Sequence, residues 1–123
     1  MKKIVFVFFV LALFIISCKS TQKEFKAEVV MNVFHLYIQP QHEYFSYAGD
    51  VRNIGWATAY NVIIKLEVFY KDGQPYSTKI TLTNPPDIQA QTSAGWRIDY
   101  FEANKNDIKA IDFDKTKCEI LWD

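Results

Sequence analysis

The residues from which most functional sites are built are scarce in this sequence. It holds two cysteines, two histidines, four glycines and four prolines in 123 residues. The glycines stand dispersed at 49, 55, 73 and 95, so no loop gathers the backbone amides that cradle a phosphate. His35 and His42 are separated by Pro40, and even with Glu43 added their spacing resembles no zinc site, so solvated surface histidines and no metal are expected. Serine, histidine and aspartate all occur, but without the Gly-x-Ser-x-Gly elbow that would mark a nucleophile. No basic run exceeds Lys2-Lys3, and 14 basic side chains balance 14 acidic ones, which removes the footprint of a nucleic-acid partner. Half the residues are apolar, so wholesale disorder is excluded too.

The longest apolar run lies near the start. Lys2-Lys3 precedes Ile4 to Ile16, thirteen apolar residues ending at Ser17-Cys18, which is the layout of a signal peptide. At 1.5 Å per residue that run covers about 20 Å, short of the roughly 30 Å hydrocarbon layer. Lys19-Ser20-Thr21-Gln22-Lys23-Glu24 then has no apolar residue and reads as a solvated tether. Ile15-Ile16-Ser17-Cys18 resembles the lipobox of bacterial lipoproteins: two aliphatics, a small residue, then the cysteine. That resemblance implies cleavage before Cys18, acyl chains on its thiol and anchoring in the cell envelope. An ordinary secreted signal and an uncleaved anchor are the competing readings. Lys19 after the cysteine resembles sorting to the outer membrane, and the lack of an acidic run in Ser20 to Gln22 argues for the periplasmic side. Residues 1–17 are thus expected as signal peptide, 18–24 as tether and 25–123 as one domain. Removal of Lys2 and Lys3 leaves 12 basic against 14 acidic side chains, a net charge near −2. With Cys18 acylated, Cys118 is the remaining thiol and no intramolecular disulfide can form; a buried structural cysteine is expected there.

From Phe25 onward apolar residues recur mainly at period two, which predicts an all-β fold. In Tyr60 to Tyr70, Val62, Ile64, Leu66, Val68 and Tyr70 share one face. Asp72-Gly73 between two alternating runs predicts a hairpin, with Tyr76, Thr78, Ile80 and Leu82 on one face of the return strand. Further strands are expected over Lys26 to Ile38, Tyr44 to Asn53, Thr92 to Phe101, Ile108 to Phe113 and Lys117 to Trp122. Seven strands in about 100 residues suit an immunoglobulin- or fibronectin-like β-sandwich, with a small β-barrel as the alternative. On that reading Asp112 and Asp114 share one solvated strand face. Gly49 marks a close backbone approach or a bulge, and Asn53-Ile54-Gly55 a turn in which both Asn53 and Gly55 tolerate positive φ.

A second resemblance runs through these strands. Gly49-Asp50-Val51-Arg52-Asn53-Ile54-Gly55, an alternating strand, and the closing Asp72-Gly73 are similar to the FxLyD domain of bacterial and archaeal envelope proteins. It covers about Phe45 to Phe101. The name-giving Phe and Leu fall on Val68 and Tyr70, the aromatic before the aspartate on Lys71, and the usual Pro-Gly on Ala90-Gln91. The resemblance implies a β-sandwich without catalytic residues or cofactor. Aromatics, 16% of the chain, are the one excess. Tyr44, Trp56, Tyr60 and Phe69 are the candidate binding surface, for an envelope protein partner or, if they form a flat strip, a carbohydrate. The expected function is a lipid-anchored, noncatalytic binding module. A small hydrolase is the least favoured reading.

Overall fold

The computed structural model describes residues 2–7 and 25–123; Cys18, the tether 18–24 and most of the segment 1–17 lie outside the described residues. The strands are β1 (Lys2–Val7), β2 (Val29–Gln39), β3 (Tyr44–Asn53), β4 (Ile63–Phe69), β5 (Pro75–Leu82), β6 (Ser93–Tyr100) and β7 (Lys117–Trp122), with one short helix, α1 (Lys105–Ala110). They form two antiparallel sheets, ordered β1-β7-β4-β5 and β2-β3-β6, and the sheets are not closed into a barrel. β1, which pairs with β7 from Lys2 opposite Trp122 to Val7 opposite Lys117, falls in the segment read as signal peptide. The stretch 25–123 alone therefore contributes three strands to each sheet.

Alternation builds the core. Val62, just before β4, and Ile64, Leu66 and Val68 along it are fully buried, as are Cys118, Ile120 and Trp122 to within a few per cent along β7. Ala94, Trp96, Ile98 and Tyr100 do the same on β6 and join one hydrophobic cluster with the β4 and β7 residues. Each such aliphatic side chain contributes about 1.5–3 kcal/mol relative to exposure. Most of the aromatic excess is spent here. Phe45 stacks on Tyr100 at 4.4 Å and meets Phe113 edge-on at 5.1 Å, while Tyr76 closes the group against Phe45 and Tyr70.

Two expectations about strands are corrected. Ile108 to Phe113 is not a strand: Lys105–Ala110 is helical and Phe113–Lys115 is a 3₁₀ turn. The helix is started by a capping box, in which Asn104 Oδ1 accepts from Asp107 N at 2.8 Å and the Asp107 carboxylate accepts from Asn104 N at 3.3 Å. Ile108 and Ile111, three apart, both turn inward, which is helical spacing. Asp112 and Asp114 are consequently turn residues, with Asp112 Oδ1 accepting from Asp114 N at 3.2 Å. The second correction is on β5. Val68 pairs with Ser77 but Phe69 pairs with Pro75, so Tyr76 is the extra residue of a bulge. A bulge shifts the parity of a strand by one. Tyr76 therefore packs inward, while Thr78, Ile80 and Leu82 face out, and Lys79 turns in to lie 4.6 Å over the Tyr100 ring.

Between β4 and β5 the chain reverses over Tyr70 to Gln74. Tyr70 N donates to Gln74 O at 2.8 Å, Gly73 N to Tyr70 O at 2.9 Å, and Asp72 Oδ1 accepts from Gln74 N at 2.9 Å. Gly73 has φ 92°, a region that costs a β-branched side chain dearly. Gly73→Val should lose about 1 kcal/mol or more in a urea titration. An unchanged midpoint would show that the turn relaxes freely.

Candidate functional site

The elements position two ends and two outer faces. At the hairpin end lie Tyr70 to Gln74, the Phe45–Tyr100 stack and α1. At the opposite end lie the start of β2, the loop from Ile54 to Val62 and the loop from Asn84 to Thr92. Asn53, fully buried at the end of β3, organises that second end. Its Oδ1 accepts from Gly55 N at 2.9 Å and Glu28 N at 3.1 Å, while its Nδ2 donates to Ala57 O at 2.8 Å and Ile88 O at 2.9 Å. All four hydrogen-bonding positions of the amide are used. Neither Asn53 nor Gly55 uses the positive φ that both tolerate; among the described non-glycine residues Glu43, Asn61 and Gln91 have it. Gly55 is required by proximity instead, because a Cβ there would lie 2.2 Å from Lys26 O and 2.6 Å from Glu28 N. Gly49 is confined the same way, with a Cβ placed 1.9 Å from Val33 O, beside the bulge between Met31 and Val33.

The four candidate surface aromatics do not form one strip. Tyr44 lies on the outer face of the β2-β3-β6 sheet. Its ring stacks on Phe101 at 4.9 Å, its hydroxyl donates to Asp99 Oδ1 at 2.9 Å and accepts from Arg97 Nη2, and Arg97 Nε pairs with Asp99 at 2.8 Å. Phe69 lies on the outer face of the other sheet, half-buried, with Lys117 Nζ 5.5 Å from its ring centroid. It lines a shallow depression of about 420 Å³ with Gly73, Asp114, Lys115, Thr116 and Lys117. Trp56 and Tyr60 are in the loop at the Asn53 end, and Tyr60 lies outside β4, the strand in which it was expected.

Other surfaces emerge that the sequence did not single out. On the outer face of β5-β4-β7, Leu82, Ile63 and Leu121 form one cross-strand row, and the next row is Ile80, Lys65 and Glu119. Ile80 is 63% exposed and Leu82 54%. Lys65 and Glu119 stand 3.9 Å apart beside them. On the other sheet Tyr37 and Phe101 are exposed near Tyr44, with His35 6.0 Å from Tyr37. The tyrosine–serine spacing of Tyr44 to Tyr47 carried no signal for Tyr37 or Phe101, because only the register brings β2 and β6 to either side of β3.

Titratable groups inside the fold are shifted chiefly by burial. Burial pushes the Cys118 thiol from 9 up to about 12, with the Glu119 carboxylate adding to it. Burial likewise raises Tyr47 to about 12 against the opposing hydrogen bond to Thr116 Oγ1 at 2.7 Å, and drives Tyr100 higher still. All three groups stay neutral in the folded protein at pH values where the unfolded chain ionises. Their stabilisation is complete below about pH 9 and is lost as pH rises toward about 12. The folded protein should thus react slowly with maleimide at Cys118 at neutral pH, and urea midpoints should fall only above about pH 9. Rapid stoichiometric labelling would show the thiol to be exposed. Among the described residues no three His, Cys, Asp or Glu side chains are placed to hold a metal ion, and no helix is long and apolar enough to cross a membrane. Compared with known proteins, the chain matches no family model, no curated protein and no solved structure.

Proposed function

We propose that the chain is a lipid-anchored, noncatalytic module of the bacterial cell envelope, held through acyl chains on Cys18 and acting by binding another envelope protein. The domain 25–123 is read as an immunoglobulin- or fibronectin-type sandwich, a distant relative of the FxLyD domain. Two antiparallel sheets whose inward residues join one core support that reading. Its six strands, rather than seven, follow from the helical course of residues 105–110.

The observation that carries the binding role is the outward apolar row of β5-β4-β7. Two large aliphatics more than half exposed, Ile80 and Leu82, adjoin half-buried Ile63 and Leu121 on a strand surface, with the Lys65–Glu119 pair at their border. An apolar centre edged by charge is the make-up of a protein-docking patch. The outer-membrane location is proposed from Lys19, and its periplasmic side from the lack of an acidic run in Ser20 to Gln22. A photocrosslinker at Ile80 should capture one dominant envelope protein in intact cells, while the same probe at Lys109 on α1 should not. Equal capture at both positions would remove the patch from consideration. The carbohydrate reading is favoured by a different observation, the Tyr44–Phe101 stack beside Tyr37 and the Arg97–Asp99 pair. Saturable binding to a purified glycan that Phe101→Ala abolishes would support it instead.

A further inference from the structure

The end of the domain at which residue 25 enters displays its own set of apolar side chains. Phe25 is 85% exposed, Tyr60 52%, Trp56 42% and Ile54 41%. They sit on segments that the backbone ties together. Lys26 O accepts from Trp56 N at 2.9 Å and from Ala57 N at 3.3 Å, and Ile54 N donates to Glu28 O at 2.8 Å. The Asn53 amide adds Ala57 and Ile88, and Ile88 O accepts from Ala59 N at 2.9 Å, one residue before Tyr60. Asp123 N donates to Tyr60 O at 2.9 Å. The segments bearing Ile54, Trp56 and Tyr60 are therefore held in one backbone frame, with Phe25 one residue before it.

The length of chain before this frame says what can cover it. Six residues, Lys19 to Glu24, separate Cys18 from Phe25. Fully extended they span at most about 20–25 Å, so an acylated Cys18 stays near this end while the Gly73 hairpin points the other way. Tryptophan and tyrosine favour the boundary between headgroups and acyl chains, where an apolar ring body and a polar tip are both accommodated. We infer that this end rests on the bilayer, with Phe25, Ile54, Trp56 and Tyr60 in its headgroup–acyl boundary. The inference depends on acylation of Cys18 as proposed above. Lys26, Glu28, Asp87 and Asp123 bring both signs of charge to this end, so apolar burial drives the contact and a zwitterionic surface suffices. The domain then stands on its Asn53 end. Both outer sheet faces, with Ile80 on one and Tyr44 on the other, are left open sideways to partners.

Trp56 is a built-in reporter, since Trp96 and Trp122 are only 6% and 2% exposed. Full-length processed protein, its Cys18 peptide weighed for acyl chains, is reconstituted into phosphatidylcholine vesicles carrying brominated lipids. Trp56 emission should move to shorter wavelength than in unacylated residues 18–123 carrying Cys18→Ser, made without residues 1–17 and held in buffer, and bromines placed near the headgroups should quench it. High salt should leave both effects in place, and Trp56→Phe should abolish them. Ile54→Ser combined with Tyr60→Ser should leave the acylated protein attached to vesicles but lose the quenching. Acylated protein whose Trp56 emission matches the buffer value, or a double variant quenched like the parent, would overturn the seating. An unmodified Cys18 would overturn the anchoring first, and the seating with it.

Discussion

Replacing Gly49 with alanine should destabilise the domain by about 3 kcal/mol or more, the upper end of what overpacking costs. The added Cβ would stand 1.9 Å from Val33 O and 2.9 Å from Val33 C, and both are backbone atoms of the paired strand β2. A side-chain neighbour could rotate away, but here two strands would have to part. The bulge between Met31 and Val33 brings that carbonyl in, so the glycine and the bulge form one device. Urea unfolding and amide exchange along Val33 to Leu36 would measure the effect. An alanine variant with the parent's midpoint and exchange would show that β2 can move aside at little cost.

Asn53→Ala should cost about 2–6 kcal/mol, from four hydrogen bonds worth roughly 0.5–1.5 kcal/mol each net. The loss arises less from the missing side chain than from what it leaves behind. Glu28 N, Gly55 N, Ala57 O and Ile88 O would each lose a partner at once, in a site where Asn53 itself is fully buried. Set against the 5–15 kcal/mol typical of a domain, this is a large fraction. Proteolysis should then cut first within 54–62, the loop that the amide holds. A loss under about 1 kcal/mol with the loop still protected would mean that the backbone keeps its shape without the amide.

These two residues also show how much the sequence disclosed. Gly49 within an alternating run signalled close approach, whereas Asn53 two residues before Gly55 signalled only a turn, and the four partners of its amide are set by the tertiary structure. Strict alternation placed β3, β4 and β7 because each has a buried face and a half-exposed one, the condition under which period two is written into the sequence. β5 broke the reading because one extra residue, Tyr76, inverted its parity without leaving a mark in hydropathy. Ile80 and Leu82 were accordingly expected on one face with Tyr76, and they face outward while Tyr76 packs inward. The helix at Lys105–Ala110 was legible in hindsight as Asn104-x-x-Asp107 followed by inward Ile108 and Ile111, but it is too short for a periodic window to register. The candidate surface suffered most. Tyr44, Trp56, Tyr60 and Phe69 are scattered over two faces and one end, since which aromatics meet depends on cross-strand register, and register is a property of pairs of strands.

Metabolic labelling with palmitate reads out the acylation proposed for Cys18 as mature N-terminus. The parent protein should take up label and migrate at the size of residues 18–123, while Cys18→Ala should remain unlabelled at precursor size. Palmitate incorporated equally into the Cys18→Ala protein, or a parent protein without label, would contradict the account.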